Sequence, residues 1–184
     1  TDVGVVSYKN DNRIYNNLTD YTSGIRTRDV FVGQSGNIYV SCYTVPGFLR
    51  YSADGKIKSW TKDDGLAGNK VRVSIEGRDG KIYVGTTTGL SIINPDGHIK
   101  NFKQTNGLEN EYIMSLYEDY KGVIWVGTDG GGIYLIRDDK IISHFSSEDG
   151  LAGNVIFKIS QDLSGAYWIC SGSGITRCPG FDST

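Results

Sequence analysis

Few residues of the chain are of a type and spacing that could do chemistry. Its two histidines, His98 and His144, and its three cysteines, Cys42, Cys170 and Cys178, are the types a zinc site would draw on. Such a site needs them in closely spaced pairs that converge on one ion, and no two stand that way, nor is there a Cys-x-x-Cys pair. The sequence thus predicts neither metal nor cofactor. Three thiols cannot all pair within one chain, so they are read as buried or unpaired. The run Gly130-Gly131-Gly132 has the glycine content of a phosphate loop, but a phosphate cradle needs a following helix whose first amides face the anion. Here Ile133-Tyr134-Leu135-Ile136 continues as a strand, which makes the run a hairpin turn. There is no Gly-x-Ser-x-Gly elbow to present a serine nucleophile. Asp63-Asp64 and Glu148-Asp149 read as solvated turn residues, and Asn17-Leu18-Thr19 is only a formal glycosylation acceptor. No catalytic residue is assigned.

Charge narrows the partners. Nineteen basic against 21 acidic residues give a net charge of −2, so no positive field exists to hold a nucleic-acid backbone. No apolar run approaches the roughly 18 residues of a membrane-crossing helix. The chain opens at Thr1 without a charged and apolar leader, an opening that fits a processed chain or a fragment. Glycine, at 25 of 184 residues, implies many tight turns, while 12 Tyr, 6 Phe and 3 Trp against one Met suit pleated strands.

Self-similarity decides the architecture. Asp63-Asp64-Gly65-Leu66-Ala67-Gly68-Asn69 returns as Thr105-Asn106-Gly107-Leu108-Glu109-Asn110 and as Glu148-Asp149-Gly150-Leu151-Ala152-Gly153-Asn154, with a degenerate copy at Thr22-Ser23-Gly24-Ile25. The glycines Gly24, Gly65, Gly107 and Gly150 are 41, 42 and 43 residues apart. After each copy comes a glycine and then an aromatic, Tyr39, Tyr83, Trp125 and Trp168, spaced by 44, 42 and 43. A period near 42 fits a four-stranded propeller blade or a helix pair. Short β-rich runs between Asp-Gly turns, with no helical stripe, select the blade.

The fold expected is therefore all-β, about four four-stranded antiparallel blades forming a β-propeller segment over 1–184. Each blade has strands a to d from the axis outward. Residues 1–22 are assigned to strands c and d of a partial blade, 23–63, 64–105 and 106–148 to whole blades, and 149–180 to strands a, b and c of a last one. Gly65, Gly107 and Gly150 should supply positive φ where strand d returns to strand a. Leu66, Leu108 and Leu151 should plug the seams between blades, and Asn69, Asn110 and Asn154 should tie the connectors to backbone. Tyr39, Tyr83, Trp125 and Trp168 should each anchor a blade against the next.

Any ligand surface is expected on the face made by the d–a connectors and b–c turns, which converge at one end of the central channel. Arg28 and Arg72 share one place in strand a, and Met114 and Phe157 are their counterparts. Arginine pairs with carboxylates and an aromatic stacks on a sugar ring, so the expected ligand is a small molecule or an oligosaccharide. Cut edges at both ends predict association. The outcomes open to it are a ring closed by residues 11–18 as the missing strand d, an open arc, or a homodimer of two arcs.

The connector, the pair Glu118-Asp119 ending a strand, and Gly122-Val123-Ile124-Trp125-Val126-Gly127-Thr128-Asp129-Gly130-Gly131-Gly132-Ile133-Tyr134 together resemble the two-component regulator propeller repeat, with four copies across about 24–178. That resemblance implies a periplasmic, non-catalytic sensor segment of a bacterial transmembrane histidine kinase-type receptor; a protein-protein interaction scaffold is the alternative reading of such a propeller, and a propeller lyase a less favoured one. It also implies that the remaining blades and the output domain lie elsewhere in a longer chain.

Overall fold

The computed structural model describes residues 3–179. Strands β3 (Thr27–Val32), β4 (Ile38–Cys42), β5 (Phe48–Tyr51) and β6 (Ile57–Trp60) form the first complete sheet. The second holds β7 (Val71–Glu76), β8 (Ile82–Thr86), β9 (Gly89–Ile93) and β10 (Ile99–Phe102). The third holds β11 (Ile113–Glu118), β12 (Ile124–Thr128), β13 (Ile133–Arg137) and β14 (Lys140–Phe145), and the last has β15 (Ile156–Gln161), β16 (Tyr167–Ser171) and β17 (Gly174–Cys178). Every sheet is an antiparallel meander in sequence order, and the first strands β3, β7, β11 and β15 pack side by side. These are propeller blades with strand a innermost.

The connectors explain the recurring Asp-Gly-Leu. In each, a 3-10 turn ends at a glycine in the left-handed region: Gly65 at φ 105°, Gly107 at 101° and Gly150 at 100°. A side chain with a Cβ is strained there, whereas glycine is not. The next residue drops into the seam. Leu66, Leu108 and Leu151 are buried, each in a cluster drawn from two consecutive blades. Asn69 and Asn154 accept from the Lys62 and Ser147 amides, both at 2.6 Å. In the middle connector that bond belongs to Glu111, whose Oε1 accepts from the Gln104 amide at 2.7 Å. Asn110 is one residue out of register and instead donates to the Asp129 carbonyl at 2.7 Å.

The strand-b aromatic closes each seam from the other side. Tyr39, Tyr83 and Trp125 are buried against the following blade. A second position covaries with them inside the chain. Gly33 and Gly77 accompany the tyrosines, and a Cβ there would come within 2.7 and 2.9 Å of the Tyr39 and Tyr83 rings. Beside Trp125 the same place holds Asp119, which is buried, and its Oδ2 accepts from Trp125 Nε1 at 3.0 Å and from the Tyr167 hydroxyl of the next blade at 2.8 Å. Asp119 Oδ1 accepts from the Lys121 and Val123 amides at 2.8 and 2.9 Å, so the buried carboxylate is fully bonded.

Among the described residues each end carries less than a whole blade. β1 (Ser7–Lys9) and β2 (Asn12–Ile14) pair only with each other, and the last sheet has three strands, so residues 11–18 do not close a ring. Residues 17–21 are not strand but a short helix, α1 (Asn17–Tyr21). The cause is local: Asn16 accepts from the Leu18 and Thr19 amides at 3.0 Å while Thr19 Oγ1 accepts from the Asn16 amide at 2.9 Å, a reciprocal cap that starts a helix. The helix sets Leu18 against Val40, Cys42 and Leu49. Burial pushes the Cys42 thiol up to about 11, and Cys42, Cys170 and Cys178 are all free. At the other end Trp168 is 42% exposed where Trp125 is 1%, because among the described residues no further sheet covers it. It is therefore not the seam anchor its position in the repeat predicts.

Two outcomes follow. Trp125→Ala should cost about 3–5 kcal/mol in urea denaturation and Trp168→Ala less than about 1 kcal/mol, and equal losses would contradict the open seam. Burial, then the bond to Asp119, raises the Tyr167 phenol above its ordinary value. Folding therefore favours the neutral form. That stability is whole below pH about 10, where unfolded tyrosine titrates, and is lost as pH rises toward the folded value. Tyr167→Phe should make the alkaline decline shallower by about 1.4 kcal/mol per pH unit, the slope of one proton, and an unchanged slope would refute the assignment.

Candidate ligand-binding face

Each inner strand carries a bulge at its second residue. The register slips between Thr27 and Asp29, Val71 and Val73, Ile113 and Ser115, and Ile156 and Lys158. The residues left opposite no partner are Arg28, Arg72, Met114 and Phe157, the four positions singled out from the sequence. A bulge re-aims a side chain and often sits beside functional sites. Because the inner strands lie side by side, the four residues form a ladder beside the d–a connectors and b–c turns. It changes from cationic on the first two whole blades to apolar on the next two. Met114 is half-buried and Phe157 exposed.

The two arginines meet through tyrosines that the repeat signature does not contain. Tyr43, just after β4, lies under the Arg28 guanidinium, 4.6 Å from the ring centroid, with Arg26 at 5.4 Å and Lys70 at 5.7 Å. The Tyr43 hydroxyl stands 3.2 Å from that of Tyr112, the residue preceding β11. Arg72 Nη1 donates to the Tyr112 hydroxyl at 2.9 Å, its guanidinium lies 5.1 Å from the Tyr112 ring centroid, and its Nε is buried without a hydrogen-bond partner. Arg26, Lys70, Tyr112 and Val155 form a second ladder, each standing one residue before its inner strand.

Four cations thus gather on two phenols. Among the described residues neither Arg28 nor Arg72 is in an ion pair. Asp29, the adjacent carboxylate, accepts from the Ser74 amide at 3.1 Å. Arg28 and Asp29 also line a cleft of about 410 Å3 between β3 and residues 4–6. The bond between the phenols splits them: it holds Tyr43 below its ordinary value, helped by Arg72 and Lys70, and raises Tyr112. Such a surface offers bidentate donors for a carboxylate and flat faces for stacking. Tyr43 and Tyr112 escaped the sequence reading because each occurs once. The available signal was their place in the two loop types already assigned to this face.

The histidines lie elsewhere. His98 is exposed in the turn before β10, and His144 on outer strand β14 stacks on Tyr134 with its Nε2 2.6 Å from the Gly131 carbonyl.

The class defined by this fold is the β-propeller. Within it, residues 107–130 match the family described as Two component regulator propeller. Among solved structures, the extracellular domain of a protein described as a hybrid two component system from B. thetaiotaomicron superposes with a TM-score of 0.81 at 24% identity, over 98% of this chain and 25% of its own length. The extracellular domain of one described as a one component system from the same organism gives 0.70 at 23%, over 96% of this chain and 25% of its own. Virginiamycin B lyase from Staphylococcus aureus gives 0.67 at 20%, over 83% of this chain and 55% of its own. The chain spans about a quarter of the two B. thetaiotaomicron structures, and at these identities all three report the shared fold. No curated protein matches the sequence.

Carbon-13 NMR of labelled tyrosine should find Tyr43 titrating below Tyr112, and Arg72→Ala should raise Tyr43. Two phenols titrating together at the ordinary value would show that the network does not form in solution.

Proposed function

We propose that the chain is the ligand-sensing propeller segment of a bacterial transmembrane signal-transduction receptor, acting outside the cytoplasmic membrane and non-catalytic in itself. The reading is carried by the cluster of Arg28, Arg72, Tyr43 and Tyr112 on a bulged inner surface, next to the residues that match the two component regulator propeller family. Extracellular domains of B. thetaiotaomicron signalling proteins share the fold, which supports the location, and among the described residues no helix is long and apolar enough to cross a membrane. Further blades would seat over the face that exposes Trp168.

The ligand is a small carboxylate or an acidic oligosaccharide, its anion held by Arg28 and Arg72 and its ring face by Tyr43 or Phe157. Binding to the native state alone raises the melting temperature by mass action, which makes a thermal-shift screen the first test. Calorimetry should then show uronate-containing oligosaccharides binding and their neutral counterparts not. Arg72→Ala removes charge-assisted bonds worth about 1.5–3 kcal/mol, an affinity loss of roughly 10- to 150-fold. Undiminished binding by Arg72→Ala and Arg28→Ala would refute the site.

A further inference from the structure

We infer a second anion site, at the opposite end of the molecule from the loop face, in the crevice between the first two whole blades. The crevice holds about 130 Å3 and is lined by Tyr39, Arg50, Lys58 and Trp60 of one blade and by Gly80, Ile82, Ile93, Asn94, Pro95 and Gly97 of the next. Its cations are Arg50 and Lys58, which stand directly opposite each other across β5 and β6. Like charges so placed repel and destabilise a sheet. Both are drawn over one indole, Lys58 at 4.7 Å and Arg50 at 5.9 Å from a Trp60 ring centroid, and Arg50 Nε is buried without a partner.

The internal repeat shows how unusual this is. The residue paired with the strand-b aromatic is Arg50 opposite Tyr39, but Ile92 opposite Tyr83 and Leu135 opposite Trp125. Seam packing at this position is done by an aliphatic side chain. Arg177 fills it in the last blade, opposite the solvent-exposed Trp168, whereas Arg50 is placed at a closed seam. Lys58 has a counterpart in Lys100, and at that seam the next blade supplies a partner: Lys100 Nζ donates to the Asp139 carbonyl at 2.8 Å. The equivalent turn at the Arg50 seam offers Asn94, Pro95 and Gly97, while its Asp96 is exposed outside the lining and accepts from the His98 amide at 2.9 Å. The acidic groups whose fields reach the region, Glu76 at Tyr39 and Asp64 at Lys58, are bonded to the Gln34 and Thr61 amides.

A narrow notch with two opposed cations, an aromatic wall and no carboxylate in its lining fits one oxyanion group: a sulfate, phosphate or carboxylate, free or borne on a larger molecule. Its volume equals about four waters of liquid, too little for a saccharide chain. Bound there, the anion bridges Arg50 and Lys58 and locks the first seam, which gives this end of the propeller an anion-dependent rigidity independent of the loop face.

The test titrates sodium sulfate, inorganic phosphate and sodium acetate against sodium chloride at matched ionic strength, reading melting temperature and tryptophan emission. Sulfate stabilises proteins generally by exclusion from their surface, so the signal sought is the saturable part. Wild type and Arg72→Ala should show it alike, and Arg50→Ile, which installs the residue of the next blade, should weaken it at least about tenfold. Should Arg50→Ile fail to fold, Lys58→Ala, at an exposed position, reads the same loss. The acetate arm distinguishes a carboxylate from a tetrahedral anion. The inference is overturned if no probe gives a saturable response, or if the response survives Arg50→Ile and is lost in Arg72→Ala.

Discussion

Each blade of this protein presents an apolar face that only the following blade can cover. A four-stranded sheet has two faces and no helix layer to hide them, so stability comes from seams rather than from a central core. Tyr39, Tyr83 and Trp125 enter the seams from one side and Leu66, Leu108 and Leu151 from the other, in clusters that each draw on two blades. At about 1.5–3 kcal/mol for each fully buried side chain, three such seams provide a large share of what opposes chain entropy. Asp119, trapped in the third seam, is bonded to four donors, whereas Arg50 Nε in the first is buried without a partner.

This constraint decides what the sequence could reveal. Positions that serve the seam recur every 42 residues or so, and recurrence made the blades, their connectors and the anchoring aromatics readable without coordinates. Positions that do not recur stayed hidden. Tyr43 and Tyr112 occupy loops with a different residue in each blade, and their partnership exists only because neighbouring inner strands bring them together. The helix at 17–21 was missed for a related reason: its reciprocal Asn16–Thr19 cap stands where the next blade has its outer strand β6, so alignment to the repeat argued against it. Glu111 took the place assigned to Asn110 because the middle connector is offset by one residue. The four bulge positions were legible as a ladder in strand a, but the slip that turns them out of the sheet was not.

The same logic relates stability to function. Residues that depart from the repeat do so where the seam does not need them, on the bulges and in the loops, or where it tolerates a cost, as at Arg50. Arg28 and Arg72 on Tyr43 and Tyr112 are poor packing and good recognition, because a guanidinium has five donors and a phenol takes few of them. A rigid array of seams holds those donors in place, so little ordering remains to be done when a ligand arrives.

The seams hold the blades in order, and among the described residues the one beyond Trp168 is open. Native-state hydrogen exchange tests this most directly, since local opening energies fall where buried contacts are few. Protection should be strongest in β8, β9, β12 and β13, flanked by seams on both faces, and fall steeply through β16 and β17. Uniform protection across all four sheets, with β16 as slow as β12, would contradict it.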